Sequence, residues 1–223
     1  MRAVPVPQLM IPALLAFIAA VVMLSQPASA QAVYQEGKDY AVLPNPVRTT
    51  DPSKIEVAEV FWYGCPHCNT FRPLFEQWKK QSGDDITVQH TPAMWSKSMA
   101  VHAQIFYTAK VLGKLDVMHK EIFDAMHVGK KKLLAEKQIY TLFEKHGVDK
   151  STFDKTFSSF GVNSQVQQAA SRARGYQITS TPTVVVNGKY RVLMNRGDSF
   201  DKVMKVADYL VNKERAALKA KRS

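Results

Sequence analysis

The stretch that decides the fold is Glu59–Cys68, which reads E-V-F-W-Y-G-C-P-H-C. It begins as a strand-like apolar run, reaches Gly64 and continues into two cysteines separated by two residues. Pro66 suits the first position of a helix, where a missing N–H costs nothing. Cys65 would then be the N-cap residue, with its sulfur facing unpaired backbone N–H groups and the positive end of the helix dipole. These groups favour a thiolate, the reactive form of cysteine, so the pattern indicates a redox dithiol.

Cys65 and Cys68 are the only cysteines among the 223 residues. A cross-link that spans two residues removes little loop entropy, so a stabilising role explains little and a catalytic role explains the spacing. Two thiolates alone do not close a zinc site, and the histidines show no spacing that pairs them with the cysteines. Haem attachment requires histidine at position 69, where the chain has Asn69. We therefore expect neither a metal nor a cofactor.

The N-terminal segment Met1–Ala30 has the pattern of a cleavable signal peptide. Its apolar run extends from Met10 to Leu24, and a small-x-small site, A-S-A, ends at Ala30. A membrane anchor is the disfavoured alternative, because the run is shorter than the roughly 20 residues that a span needs. The prediction is export to the periplasm, with a mature chain that starts at Gln31.

The chain is basic, with a formal net charge of +11, or +10 once Met1–Ala30, which holds Arg2 and no acid, is removed. An excess of positive charge can indicate binding to nucleic acid or to an anionic membrane surface. Here the basic residues are spread along the chain, which is typical of a solvated surface. We expect no nucleic-acid partner for an exported protein.

Apolar periodicity and turn residues predict the order of secondary structure. A helix is predicted from Pro66 to about Lys80, and a final helix includes Phe200–Leu210. Strands are predicted at 40–43, 55–63, 86–90, 183–186 and 189–193.

Residues 94–174 read as helical throughout, in five segments, and the fourth is marked by Phe153, Phe157 and Phe160. Without this block the order is β-α-β followed by β-β-α, which is the order of the thioredoxin fold, with the cysteine pair at the start of its first long helix. The expected architecture is an α/β thioredoxin fold with an inserted α-helical domain. Its predicted parts are 31–93 and 176–223, with the insertion at 94–175.

Three features together resemble the DsbA family of periplasmic thiol oxidases in the thioredoxin superfamily. They are C-P-H-C after an aromatic strand, a helical insertion of about eighty residues, and a later Thr181-Pro182-Thr183 followed by V-N-G-K-Y. The resemblance covers essentially all of the chain after Ala30. It implies that Cys65 is the nucleophile and the attacked sulfur, and that Cys68 is the buried resolving thiol. It also implies a cis-proline at Pro182, facing the disulfide.

The resemblance further assigns Glu59 as a buried acidic residue beneath the active site, where it could accept or relay the proton of Cys68. His67 lies between the two cysteines, and its imidazole would stabilise the Cys65 thiolate by charge and hydrogen bonding. A cis-proline would leave the backbone of Thr181 free to pair with an extended substrate. Many DsbA proteins have valine at this position, and threonine is also familiar among isomerases of the superfamily.

The predicted function is donation of the Cys65–Cys68 disulfide to reduced, unfolded exported proteins. A membrane partner of the DsbB type would reoxidise the enzyme, which we expect to be a monomer. One alternative is an isomerase or reductase of the same fold, which would rest in the reduced state. A second alternative is a non-catalytic peptide-binding module, which an inert cysteine pair would favour.

Overall fold

The computed structural model describes residues 34–222, so the predicted signal peptide lies outside the described residues. Within this range the chain forms one mixed sheet and a set of helices. The strands are β1 (Tyr40–Val42), β2 (Ile55–Phe61), β3 (Ile86–Pro92), β4 (Thr183–Val186) and β5 (Tyr190–Val192). The helices are α1 (Pro66–Gln81), α2 (Lys97–Val111), α3 (Leu115–His127), α4 (Glu136–Glu144), α5 (Lys150–Phe157), α6 (Phe160–Gly175) and α7 (Phe200–Arg222).

The sheet has the strand order β1-β5-β4-β2-β3. Strand β2 lies between β3, which is parallel to it, and β4, which is antiparallel. All seven residues of β2 are buried, as expected for a strand that is covered on both faces. Helix α1 is the crossover between the parallel strands β2 and β3, so the end of β2 leads directly to the cysteine pair.

The two faces of β2 contact different helices because its side chains alternate. Ile55 and Val57 pack in one cluster with Phe71 and Phe75 of α1 and with Leu210 of α7. On the opposite face, the cluster contains Ala58 and Val60 of β2, Val185 of β4, Ala173 of α6 and the neighbouring Tyr176. Buried aromatic and aliphatic side chains on both faces hold β2 in place, each contributing about 1.5–3 kcal/mol.

Helices α2–α6 form a block with its own apolar core. Phe61 and Tyr63, at the end of β2 and just after it, enter that core together with both cysteines. From the helices, the core includes Ile105, Phe123, Phe143, Phe153 and Val162. The cysteine pair therefore lies where the helical block meets the end of the central strand.

The structure confirms the predicted thioredoxin fold with inserted helices and corrects several element boundaries. Strand β2 ends at Phe61 rather than Tyr63, because the chain turns there and the Cys65 N–H donates to the Trp62 carbonyl at 3.0 Å. Phe160 begins α6 and is not part of the fourth helix of the block. The reason is a helix cap, in which the Ser159 hydroxyl accepts a hydrogen bond from the backbone N–H of Val162.

Smaller corrections concern the edges of the sheet. Strand β3 continues past His90 to Pro92, paired with β2 along its whole length. Strands β1 and β5 are each shorter than predicted, and α1 ends at Gln81. Among residues 34–222, no helix combines the length and the apolar character needed to cross a membrane.

A buried ion pair between Glu56 and Arg172 connects β2 to α6. Glu56 is 1 % exposed, and its carboxylate accepts hydrogen bonds from Arg172 at 2.6 Å and from the Tyr176 hydroxyl at 3.3 Å. Its other oxygen accepts from the backbone N–H and hydroxyl of Thr50, at 2.8 and 2.7 Å. Each carboxylate oxygen therefore has partners, which is the condition for a charge to be tolerated in a buried strand.

Replacing Glu56 should destabilise the protein strongly, because Arg172 would remain partly buried without its partner. We expect Glu56→Ala to lower the free energy of unfolding by about 3–5 kcal/mol in urea melts. Asp85→Asn is the control, since it removes the partner of Arg215 in an ion pair whose side chains are 48 % and 42 % exposed. It should cost no more than about 1 kcal/mol. Equal losses in the two variants would contradict the assigned role of Glu56.

Candidate active site

Cys65 lies at the N-terminus of α1 and is its N-cap residue. The tight turn after β2 positions it, and Pro66 at the start of the helix has no N–H that would need a partner. Pro66 and His67 are exposed, whereas Cys65 is 8 % exposed and Cys68 is completely buried. Of the two cysteines, Cys65 is therefore the one that another molecule can reach.

The structure has both cysteines as free thiols, and their environments differ strongly. The Cys68 thiol, which donates a hydrogen bond to the sulfur of Cys65, is the main cause that lowers the pKa of Cys65 to about 5. The Thr181 side chain and the backbone N–H groups of Cys68 and His67 lower this pKa further, while burial opposes them. At neutral pH Cys65 is therefore a thiolate.

The pKa of Cys68 is shifted in the opposite direction. Burial raises the pKa of Cys68 far above its ordinary value, and the neighbouring sulfur of Cys65 raises it further. The Thr181 side chain again lowers the pKa, but its effect is smaller. The reduced pair is thus one thiolate and one thiol, and the Cys65 thiolate accepts the hydrogen bond of Cys68.

The start of β4 brings Thr181 and Pro182 to the cysteine pair. The Thr181–Pro182 peptide bond is cis, as the resemblance implied, and Pro182 is buried. The Thr181 carbonyl oxygen lies 3.4 Å from the sulfur of Cys65 and accepts a hydrogen bond from its thiol form. The residue before the proline therefore contacts the reactive sulfur directly, through a backbone group and through its side chain.

Glu59 is buried on β2, at 1 % exposure, and its carboxylate lies 2.8 Å from Nδ1 of His90. His90 was not among the residues that the sequence analysis connected to the active site. The register of the parallel strands, which places Glu59 directly opposite His90, is the signal that could have identified it. In the described chain Glu59 makes no hydrogen bond to Cys68, so proton transfer between them stays a prediction.

The His67 imidazole is exposed and makes no hydrogen bond to any of residues 34–222. Its backbone N–H contributes to the low pKa of Cys65, and this contribution does not require a histidine side chain. A direct action of the imidazole on the thiolate stays a prediction.

The titration of Cys65 tests this site. Thiolate absorbance of the reduced protein should rise with a midpoint near pH 5. Thr181→Val keeps the side-chain shape but removes the hydroxyl, so it should raise that midpoint by up to about one unit, while Thr181→Ser should restore it. Because folding lowers this pKa, ionised Cys65 stabilises the reduced protein above the pKa of the unfolded thiol. That stability is lost as pH falls through about 5.

If the thiolate titration of Thr181→Val has the same midpoint as that of the wild type, the Thr181 hydroxyl does not lower the pKa of Cys65. The same titration of His67→Leu measures the contribution of the imidazole, since the backbone N–H remains in that variant.

Comparisons with known proteins agree with this geometry. The profile of the DSBA-like thioredoxin domain matches residues 76–206, a range that includes Pro182 and begins after the cysteine pair. A thiol:disulfide interchange protein DsbA of Pseudomonas aeruginosa is 40 % identical over 186 residues, covering 83 % of this chain and 88 % of the relative. The corresponding protein of Azotobacter vinelandii is 39 % identical, covering 81 % and 85 % of the two chains.

Solved structures show the same similarity. The crystal structure of Pseudomonas aeruginosa DsbA superposes with a TM-score of 0.78 at 40 % identity, covering 83 % of this chain and 97 % of that one. The oxidoreductase NmDsbA1 of Neisseria meningitidis superposes with a TM-score of 0.70 at 27 % identity, covering 83 % and 96 %. With the cysteine pair, the cis-proline and the inserted helices in place, the chain belongs to the DsbA family of thiol:disulfide interchange proteins.

Proposed function

We propose that this thiol:disulfide oxidoreductase works as an oxidase that donates the Cys65–Cys68 disulfide to reduced proteins. The observation that carries the proposal is the position of Cys65 as the N-cap residue of α1 beside the buried thiol of Cys68, an arrangement that lowers the pKa of Cys65 to about 5. A stabilised thiolate favours the reduced enzyme, and a dithiol whose reduced form is stabilised has an oxidising disulfide, a relation for which the DsbA family is itself the established example. The buried thiol of Cys68 supports the same direction, because it donates a hydrogen bond to that thiolate.

The reaction proceeds in two exchanges. A client thiolate attacks the sulfur of Cys65, the accessible member of the pair, and the Cys65–Cys68 bond breaks. The electron pair goes to Cys68, which takes up a proton because its pKa is raised. A second client thiolate then attacks the client sulfur of the mixed disulfide, and Cys65 leaves as a stabilised thiolate. The client loses two electrons and gains a disulfide, and the enzyme is reduced by the same two electrons.

The site also has groups that could orient the client. A backbone segment beside a cis-proline can pair with an extended peptide in the manner of an added strand. Thr181 lies in such a segment, with its carbonyl 3.4 Å from the Cys65 sulfur. We assign Thr181 and Pro182 to client binding. Glu59 remains the proposed acceptor or relay for the proton of Cys68, with His90 as the partner that holds its carboxylate.

The location and the remaining partners belong to this proposal as well. The signal-peptide pattern in Met1–Ala30 supports export to the periplasm, where reduced and newly exported proteins are the available clients. Continued turnover requires an oxidant that regenerates the disulfide, for which we propose a membrane protein of the DsbB type. We propose that the enzyme acts as a monomer.

Trapping of clients tests the proposed oxidase. Cys68→Ser should accumulate mixed disulfides between Cys65 and periplasmic proteins, visible as reducible bands on a non-reducing gel. In this variant the Cys65 thiolate attacks a disulfide of an oxidised client, the client S–S bond breaks and one client sulfur leaves as a thiolate. The mixed disulfide then accumulates because Cys68 is no longer present to attack it. Cys65→Ser is the matched control and should trap far fewer clients, because the remaining sulfur is buried. Absence of trapped clients in Cys68→Ser would instead support the peptide-binding alternative.

A further inference from the structure

A second group of polar side chains lies near the end of β2. It consists of Glu59 on β2, His90 on β3 and His119 on α3, and one potential ligand atom from each lies within 4.8 Å of the others. Glu59 is 1 % exposed and His119 is 7 % exposed, and His90 is partly buried. The three residues are far apart in the sequence, and the strand pairing together with the packing of α3 brings them together.

One buried nitrogen in this group has no partner. Nε2 of His119 is inaccessible to solvent and has no hydrogen bond to the described residues, although Nδ1 of the same ring lies 2.9 Å from the Tyr63 hydroxyl. A buried polar atom without a partner costs about 1–3 kcal/mol, so its presence needs a reason. Burial, more than the charges of His90, Arg72 and Lys79, keeps the pKa of His119 well below its ordinary value. A ring nitrogen without a hydrogen-bond partner is the kind of atom through which a histidine binds a metal ion.

We propose that Glu59, His90 and His119 form a binding site for a divalent transition metal ion, with Zn²⁺ as the reference ion. Two imidazole nitrogens and one carboxylate oxygen are a ligand set that holds zinc with one coordination position open. Tetrahedral zinc ligands lie about 3.4 Å apart. The Glu59 carboxylate and His90 Nδ1, now 2.8 Å apart, would need to separate slightly, whereas a pair of atoms at the 4.8 Å limit would need to approach. An ion at Nε2 of His119 would leave Nδ1–H to donate to Tyr63, as the second ring nitrogen of metal-bound histidines commonly does.

A cavity and a further carboxylate lie next to the three-residue site. A cavity of about 420 Å³ borders His90 and His119 and has room for a water ligand. Oε1 of Glu76, which also lines it, is 3.6 Å from Nε2 of His90. Two lysines that line the cavity are paired with carboxylates, which offsets their repulsion of a cation. Lys79 pairs with Glu76 at 3.8 Å, and Lys120 pairs with the carboxylate of Asp124.

An anion is the competing occupant, because the basic residues that line the cavity outnumber its two acids, Glu76 and Asp116. The basic residues are Arg72, Lys79, Lys80 and Lys120, and Nε of Arg72 has no hydrogen-bond partner in the described chain. The carboxylates of Glu59 and Glu76, both within 4 Å of the His90 ring nitrogens, would repel an anion at the histidines. The arrangement therefore favours a cation at the three-residue site.

The test uses the oxidised protein, in which the Cys65–Cys68 disulfide keeps the thiolates from binding metal. Co²⁺ is the spectroscopic probe, and Zn²⁺ binding is measured by competition with it. We expect one Co²⁺ per chain, visible absorption of a four- or five-coordinate ion, and no sulfur-to-metal charge-transfer band. His119→Ala and Glu59→Gln should each weaken Co²⁺ binding more than tenfold.

His127→Ala is the matched control, since His127 lies on the same helix but its Nε2–H donates to the Tyr63 backbone carbonyl, 2.8 Å away, outside the three-residue site. It should bind Co²⁺ like the wild type. Far-UV circular dichroism checks the fold of each variant, and Zn²⁺ should raise the melting temperature of the wild type and of His127→Ala but not of His119→Ala.

Two outcomes would overturn the proposal. One is failure of the oxidised wild type to bind Co²⁺ at millimolar concentration, and the other is unchanged Co²⁺ affinity in a folded His119→Ala. A rise in melting temperature with inorganic phosphate, but not with Zn²⁺, would assign the cavity to an anion instead. The proposal does not depend on the oxidase function, because the metal is measured on the protein in one redox state without a client.

Discussion

The interaction on which the site depends is the stabilisation of a negative charge on the sulfur of Cys65. The charge lies at the N-terminus of α1, where backbone N–H groups lack helical partners and the helix dipole is positive. The thiol of Cys68 is its strongest partner, and the N–H groups of His67 and Cys68 add to it. Formation of the disulfide removes both the charge and the thiol donor, so these interactions exist only in the reduced protein. The fold therefore favours reduction of its own disulfide.

The difference in ionisation between Cys65 and Cys68 requires that Cys68 be shielded from water. The packing of the fold provides this shielding. Strand β2 is covered on both faces, and the helical block adds an apolar core that includes Phe61, Tyr63 and both cysteines. Burial raises the pKa of Cys68, while the position of Cys65 at the helix start leaves it accessible. Two residues of the same type, three positions apart, thereby acquire different charges. The inserted helices matter to the chemistry because they complete this enclosure.

Local sequence signals predicted the parts of the molecule that local physics determines. The order of helices and strands along the chain, the start of α1 at Pro66 and the β4–β5 hairpin all follow from periodicity and turn residues. The prediction that Phe160 belongs to the fourth helix of the block was wrong. It followed the helical spacing of three phenylalanines and did not consider Ser159, which caps the next helix. That Pro182 faces the cysteine pair was expected only from the resemblance, and the contact of Thr181 with Cys65, which joins residues 116 positions apart, was not predicted.

The contacts of the buried polar residues were the least predictable part. Glu59 was expected to be buried, but its partner His90 follows from strand register, and His119 follows from the packing of α3. The pairing of Glu56 with Arg172 likewise joins residues far apart in the sequence. Hydrophobic periodicity indicates which face of a helix or strand is buried. It does not indicate which buried polar side chains contact one another.

The central claim is that the fold stabilises the reduced dithiol, and its equilibrium with glutathione measures this most directly. The protein is compared with an unstructured peptide that contains residues 60–72, which has the same C-P-H-C but no fold. Both are equilibrated at pH 7 with known ratios of reduced to oxidised glutathione, and the reduced fraction is counted by thiol alkylation. We predict that the protein is reduced at far lower ratios than the peptide, because only the folded chain stabilises the Cys65 thiolate. A protein disulfide that is as hard to reduce as that of the peptide, or harder, would contradict the account.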